Sequence, residues 1–184
     1  MKKIKKNGPL NLAEYMDISL NHPQYGYYQE DNIIGREGDF VTSPEISQMF
    51  GELLGVWAAA SWHKLGRPDK INLIEMGPGR GTLMRDALRA INTVPDFRDA
   101  INVHLVEKSS PLRAIQMEEL SQESCQVCWH ENFEDVPHGD FILVANEFLD
   151  ALPIHQFIKY GEHWAERLVG IDIDGTSLVW TLSS

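Results

Sequence analysis

Three glycines at alternate positions, Gly77, Gly79 and Gly81, sit in the stretch Leu73-Ile74-Glu75-Met76-Gly77-Pro78-Gly79-Arg80-Gly81-Thr82-Leu83. An apolar run leads into them and an amphipathic run leads out. Glycine removes the Cβ that would hold a ligand off the backbone, and a helix start presents amide N–H groups without partners of their own. Such a turn suits a ligand that must come close to the main chain. The dinucleotide fingerprint would place its third glycine where Thr82 stands. A P-loop would need Gly-Lys-Ser/Thr, which does not follow. The plainer alternative is a tight strand-to-helix turn.

Glu107 closes a second apolar run, Val103-His104-Leu105-Val106-Glu107, 26 residues beyond Gly81. An acid at the carboxyl end of a neighbouring parallel strand can accept both hydroxyl hydrogens of a ribose, and the separation is near that of a βαβ unit. By itself it would read as a surface glutamate. Other patterns carry less. On a strand, Cys125 and Cys128 would point to opposite faces, and no second pair completes four ligands, so no metal site is expected. The seven histidines are scattered, and the Gly-x-Ser-x-Gly elbow of serine hydrolases is absent.

The elements that must position these residues alternate. A short helix is predicted over Tyr15 to Leu20, and Tyr25 to Asp39 reads as loop. Ser43-Pro44-Glu45 has an N-cap residue, a proline at the first helical position and an acid in the first turn, predicting a helix to about Leu65. Strands follow at 71–76, 101–106, 125–129 and 141–145, with helices over 83–91 and 111–120. A turn at 148–152, a strand at 155–160 and a hairpin around Asp174-Gly175 complete the pattern. The succession predicts an α/β fold with a mainly parallel sheet. Three regions are expected: 1–70 as an N-terminal extension and cofactor-covering segment, 71–160 as the core, and 161–184 as a hairpin beginning a further region.

Composition narrows the partners. The 184 residues are 43% apolar with a net charge of −11, and four of the sixteen basic residues fall in the first six positions. Nucleic-acid binders usually present a basic face, so an acidic body argues against that partner and suits a cationic one. No apolar run is long enough to span a membrane. The basic start lacks the apolar stretch of a signal peptide, and no clear transit peptide follows. Two cysteines fit a reducing compartment. The expectation is a cytoplasmic protein of bacterial type.

Glu75-x-Gly77-x-Gly79-x-Gly81 with Glu107 resembles motifs I and II of class I S-adenosylmethionine-dependent methyltransferases. Four blocks narrow the likeness: Gly38 to Glu52, Leu73 to Leu83, Val103 to Glu107, and Asn146-Glu147-Phe148-Leu149-Asp150-Ala151-Leu152-Pro153. Together they are similar to the MidA family, whose mitochondrial member is a complex I assembly factor that methylates protein arginine. The likeness runs from about Gly8 to Ile173. Family members are about twice as long, so the chain looks like their N-terminal part, with a fold incomplete relative to theirs.

The resemblance implies a Rossmann-like sheet with helices on both faces and S-adenosyl-L-methionine as cofactor. Gly77, Pro78, Gly79 and Gly81 would cradle the methionine tail, with Glu75 near its ammonium and Glu107 on the ribose. Phe133 would lie by the adenine, or else be core. Gly38, Asp39, Thr42, Ser43 and Pro44 would cover the donor, or else form a loop and helix cap. On the acceptor side, Glu147 and Asp150, with Asn146, would clasp a guanidinium. Arginine stays protonated, so its nitrogen must be held and its charge localised. The alternative is a capping acid pair. The expected function is methyl transfer to an arginine of a protein partner. The competing possibilities are a non-catalytic donor-binding or assembly module, an inactive fragment and, more weakly, a nucleotide-binding oxidoreductase.

Overall fold

In the computed structural model, residues 1–27, 43–123 and 125–183 are described. The chain divides into two compact units, one joining Met1–Glu30 to Ala151–Ser184 and the other spanning Asp31–Asp150. The terminal unit holds α1 (Lys2–Asn7), β1 (Leu10–Asn11), α2 (Leu12–Asn21), β6 (Phe157–Tyr160), β7 (His163–Ile171) and β8 (Leu178–Leu182), numbered along the whole chain. The central unit holds α3 (Ser43–Ile46), α4 (Gln48–Lys64), β2 (Ile71–Met76), α5 (Thr82–Ile91) and α6 (Pro95–Ala100). It continues with β3 (Ile101–Val106), α7 (Ser110–Glu119), β4 (Val127–His130) and β5 (Phe141–Val144).

The central sheet runs β4-β3-β2-β5, with every pair parallel. Leu73 faces Val103 on one side and Ile142 on the other, and Leu105 faces Trp129. Because side chains alternate along a strand, Ile71, Leu73, Val103, Leu105 and Ile142 share one face. That face packs against Ala58 and Trp62 of α4, Met84, Leu88 and Ile91 of α5, and Phe97 of α6. α4 and α5 approach closely through small residues: a Cβ on Gly55 would stand 2.4 Å from the Ala87 carbonyl oxygen.

The opposite face departs from the expectation of helices on both sides. Ile74 and Val106 pack there with Val136, flanked by Met76 and Leu143, and no helix among the described residues joins this cluster. Val136 belongs to the connection between β4 and β5, which crosses the face where a helix is expected. Polar residues share that face: Asn72 Nδ2 donates to the Pro137 carbonyl at 2.8 Å, and His104 Nδ1 lies 2.9 Å from His130 Nε2. Burial and the neighbouring His130 ring hold the His104 pKa below its ordinary value.

Other elements differ in detail. The helix predicted from Ser43 onward is two, because Ser47 takes the extended conformation of an N-cap and α4 restarts after it. α6 opens on Pro95, a start signal the periodicity alone does not reveal. The strand predicted at 125–129 runs Val127–His130. β6 joins the antiparallel terminal sheet, where β1 and β6 flank β7 and β8 also pairs with β7. That sheet buries Leu10 and Val169 with Ile4 of α1, so the two ends of the chain share one small core. α2 begins one capping box earlier than its apolar spacing suggests, with Asn11 and Glu14 exchanging hydrogen bonds.

Candidate functional site

β2 delivers the glycine turn to the carboxyl end of the central sheet. Gly77 N–H donates to the Val106 carbonyl at 3.0 Å, and Gly81 N–H closes the turn on the Pro78 carbonyl at 2.8 Å. Gly77, Gly79 and Gly81 have φ of 61°, 55° and 87°, a left-handed region costly for any residue with a Cβ. Pro78 is buried between them. At Gly77 space is lacking as well, since a Cβ would come 2.4 Å from Phe148 Cδ2. Gly81 caps α5, and Thr82 Oγ1 donates to Glu45 Oε1 at 2.6 Å.

Glu75 lies one residue before the end of β2, on the helix-covered face. It is 2% exposed, and its Oε2 has no hydrogen-bond partner among the described residues. Burial pushes its pKa up to about 8. A buried carboxyl with an idle oxygen beside a turn of open backbone is an acid suited to a cation. The donor set therefore fits a ligand with an ammonium group and a tail thin enough to lie against glycine.

Glu107 follows the end of β3, and its N–H donates to the His130 carbonyl at 2.9 Å. Its Oε1 accepts from Ser109 N–H at 2.8 Å and its Oε2 from Gln116 Nε2 at 3.5 Å. Burial raises its pKa; hydrogen bonds from Ser109 and Gln116 and the charge of Arg113 oppose that rise. Lone pairs on both oxygens stay free for a diol. Gln116 also bonds the Gly79 carbonyl at 2.7 Å, so the turn and the acid are joined through one side chain.

Asn146, Glu147 and Asp150 follow β5 in the same unit. Glu147 is exposed and takes φ 48°, one of two non-glycine residues with positive φ among those described. Asp150 is exposed in the single turn Leu149–Ala151, and Asn146 is half-buried. Between the acids, Phe148 reaches over Gly77 and brings this segment to the glycine turn. Phe133 is placed elsewhere: its ring stands edge-on to Phe141, centroids 6.1 Å apart, and Phe141 pairs with Asn72 at the amino end of β2. Ser43 and Pro44 open α3 and come near the start of α5 through Glu45 and Thr82. Gly38, Asp39 and Thr42 lie outside the described residues.

Sequence reasoning missed Phe148, Gln116 and Glu45. Phe148 sits inside a block whose acids drew attention, and only the packing exposes its role. Cys125 and Cys128 are free thiols. Among the described residues no group of three or more His, Cys, Asp or Glu can hold a metal ion, and no helix is long and apolar enough to cross a membrane.

A parallel sheet, a glycine turn after its β2 strand, a buried acid before that turn and an acid ending the adjacent strand define a Rossmann-like protein of the class I methyltransferase fold. Residues 53–184 match the family described as putative S-adenosyl-L-methionine-dependent methyltransferase. The chain belongs to that family. It is 44% identical, over 92% of its length, to the protein arginine methyltransferase NDUFAF7, mitochondrial, of Xenopus laevis, and covers 44% of that protein. To the protein of the same name from Homo sapiens it is 40% identical over 94% of its length, covering 44% of the relative. The chain thus spans less than half the length of these curated relatives. A likely methyl transferase from Burkholderia thailandensis, solved bound to S-adenosyl-homocysteine, superposes with a TM-score of 0.81 at 29% identity, over 99% of this chain and 47% of that one. The cytoplasmic placing drawn from the residue balance is overturned by the relatives, which are named mitochondrial.

Proposed function

We propose that the central unit binds S-adenosyl-L-methionine on the turn 77–81, with Glu75 taking the ammonium and Glu107 the ribose hydroxyls. The observation that carries this is Glu75, buried beside the turn with one oxygen unpartnered. An amino-acid tail supplies the cation that such a carboxylate lacks, and NADH does not. The bound donor would supply a methyl group on a sulfonium, so the chain's own residues have to bind, orient and exclude water. Gly77, Gly79 and Gly81 let the tail approach the main chain, and Phe148 covers the turn from the acceptor side.

In a protein of the relatives' full length, the donor would methylate an arginine of a protein partner. Glu147 and Asp150 would hold the guanidinium charge, with Asn146 beside them, while one nitrogen takes the methyl in line; the methyl–sulfur bond breaks, its electron pair stays on sulfur as the thioether, and the nitrogen gives up one proton. The arginine methyltransferase names of the relatives support this acceptor, as does the acidic charge of the chain, which disfavours nucleic acid. A second reading has a specific observation behind it. Glu147 and Asp150 are exposed, and water screens an exposed carboxylate, so such acids pair weakly. On that reading the unit binds the donor without turnover.

Calorimetric titration of the 184-residue chain with S-adenosylmethionine and with NADH tests the donor site. Binding of the first and not the second is expected; binding of NADH alone would overturn the assignment. Methylation of an arginine-bearing protein by an enzyme of the relatives' length, abolished by loss of Glu147, would separate the two readings.

A further inference from the structure

Gln116 of α7 is fully buried, at 0% exposure, and none of its polar atoms is idle. Its Nε2 donates to the Gly79 carbonyl at 2.7 Å and, over 3.5 Å, to Glu107 Oε2. Its Oε1 accepts from Trp129 Nε1 at 3.0 Å. These partners fix the amide orientation, because a carbonyl and a carboxylate only accept and an indole N–H only donates. Its Cα and Cγ lie 3.5 Å from where a Cβ on Gly81 would stand. One side chain therefore touches the middle and the far end of the glycine turn, the acid after β3 and the indole of β4.

Packing alone does not call for an amide here. Leucine or methionine would fill the volume without the desolvation cost of a primary amide. The amide is matched instead to two acceptors that belong to the donor site. Glu107 has its other oxygen tethered by Ser109 N–H at 2.8 Å. The two donors, at 2.8 Å and 3.5 Å, oppose rotation of the carboxylate about its own axis, so part of the cost of orienting it is met before a ligand arrives.

We propose that Gln116 is a positioning residue of the donor site, setting the plane of the Glu107 carboxylate and the shape of the turn at Gly79 together. The inference rests on the donor-site reading above and adds a residue that acts through others. The titratable group within reach of the amide is Glu107, and Arg113 on the same helix attracts that carboxylate.

The test is a calorimetric titration of the 184-residue chain with S-adenosylmethionine, at about pH 6 and about pH 9, on wild type, Gln116→Leu, Gln116→Glu, Glu107→Gln and the Glu107→Gln, Gln116→Leu double variant. Gln116→Leu leaves two acceptors and an indole N–H unmet, and affinity should fall about tenfold. In a Glu107→Gln background the same substitution should cost distinctly less, since part of its effect passes through that carboxylate. Gln116→Glu keeps the shape. At about pH 6 burial beside Glu107 keeps the new carboxyl protonated, its O–H donates to Gly79, and binding should stay near wild type. At about pH 9 it is ionised, offers no donor and repels Glu107, so affinity relative to wild type at that pH should drop about tenfold or more. A merely structural role predicts the same ratio at both pH values, and that flat ratio, or an additive cycle with Glu107→Gln, overturns the proposal. If Gln116→Leu does not fold by circular dichroism, the affinity of Gln116→Glu relative to wild type, compared between the two pH values, carries the test. Absence of S-adenosylmethionine binding by wild type would overturn the donor-site reading and this inference with it. Normal wild-type binding with a flat ratio would overturn the inference alone.

Discussion

Replacing Glu75 by glutamine should stabilise the ligand-free protein at alkaline pH, although it removes a charge beside the site. Glu75 is 2% exposed, with one oxygen unpartnered, and burial lifts its pKa from 4.5 to about 8. Below pH 4.5 the carboxyl is neutral in folded and unfolded chains alike, and no pH-dependent cost exists. As pH rises above 4.5 the unfolded chain ionises while the folded chain keeps its proton, so stability drains away until about pH 8 and then levels. The full cost is roughly 5 kcal/mol at about 1.4 kcal/mol per pH unit between those values. A glutamine side chain, of equal size, carries no such cost, so Glu75→Gln should gain roughly 3–5 kcal/mol relative to wild type between about pH 5 and about pH 9. Urea unfolding at both pH values measures it. S-adenosylmethionine should reverse the trend in wild type, because a bound ammonium favours the ionised carboxylate; at about pH 7 its binding should release close to one proton, seen by calorimetry in two buffers. Parallel stability profiles for wild type and variant would refute the reasoning, since Glu75 would then be solvated or paired.

Four further substitutions probe the rest of the site. Gly77→Ala should destabilise the chain by about 1–3 kcal/mol, because φ is positive there and the new Cβ meets Phe148; thermal melts check this, and a melt unchanged from wild type would place Phe148 elsewhere. Glu107→Ala should weaken S-adenosylmethionine by about 1.5–3 kcal/mol without creating NADH binding, and tight NADH binding that depends on Glu107 would point to an oxidoreductase. Glu147→Gly should relieve a left-handed residue and raise stability by about 1 kcal/mol, whereas Glu147→Gln in an enzyme of the relatives' length should cut single-turnover rate ~10²-fold; a fully active Glu147→Gln enzyme would end the arginine-clamp idea.

What the sequence discloses follows from how local each cause is. The turn at 77–81 was legible because glycine spacing, a preceding apolar run and a following amphipathic run are all written within a dozen residues. β3 and the acid after it were legible because a βαβ unit has a narrow range of lengths. Gln116 and Phe148 were not, since their importance lies in what stands opposite them: a carbonyl 37 residues away in one case and a glycine with no room for a Cβ in the other. The break at Ser47 escaped because Ile46 and Met49 continue the apolar pattern across it. Pairing of β1 with β7 escaped because a two-residue strand has no periodicity to read. Phe133 follows a strand, where the resemblance implies the adenine or else core, but its ring packs toward the other end of the sheet through a contact with Phe141 that no local pattern encodes.

The central claim is that one turn and two acids form the donor site, and a crystal structure of the 184-residue chain with S-adenosylhomocysteine tests it most directly. The ribose hydroxyls should lie within hydrogen-bond distance of Glu107, the amino group on Glu75 and the tail against Gly77 to Gly81. Ligand bound away from the turn, or bound there with Glu75 and Glu107 both untouched, would contradict it.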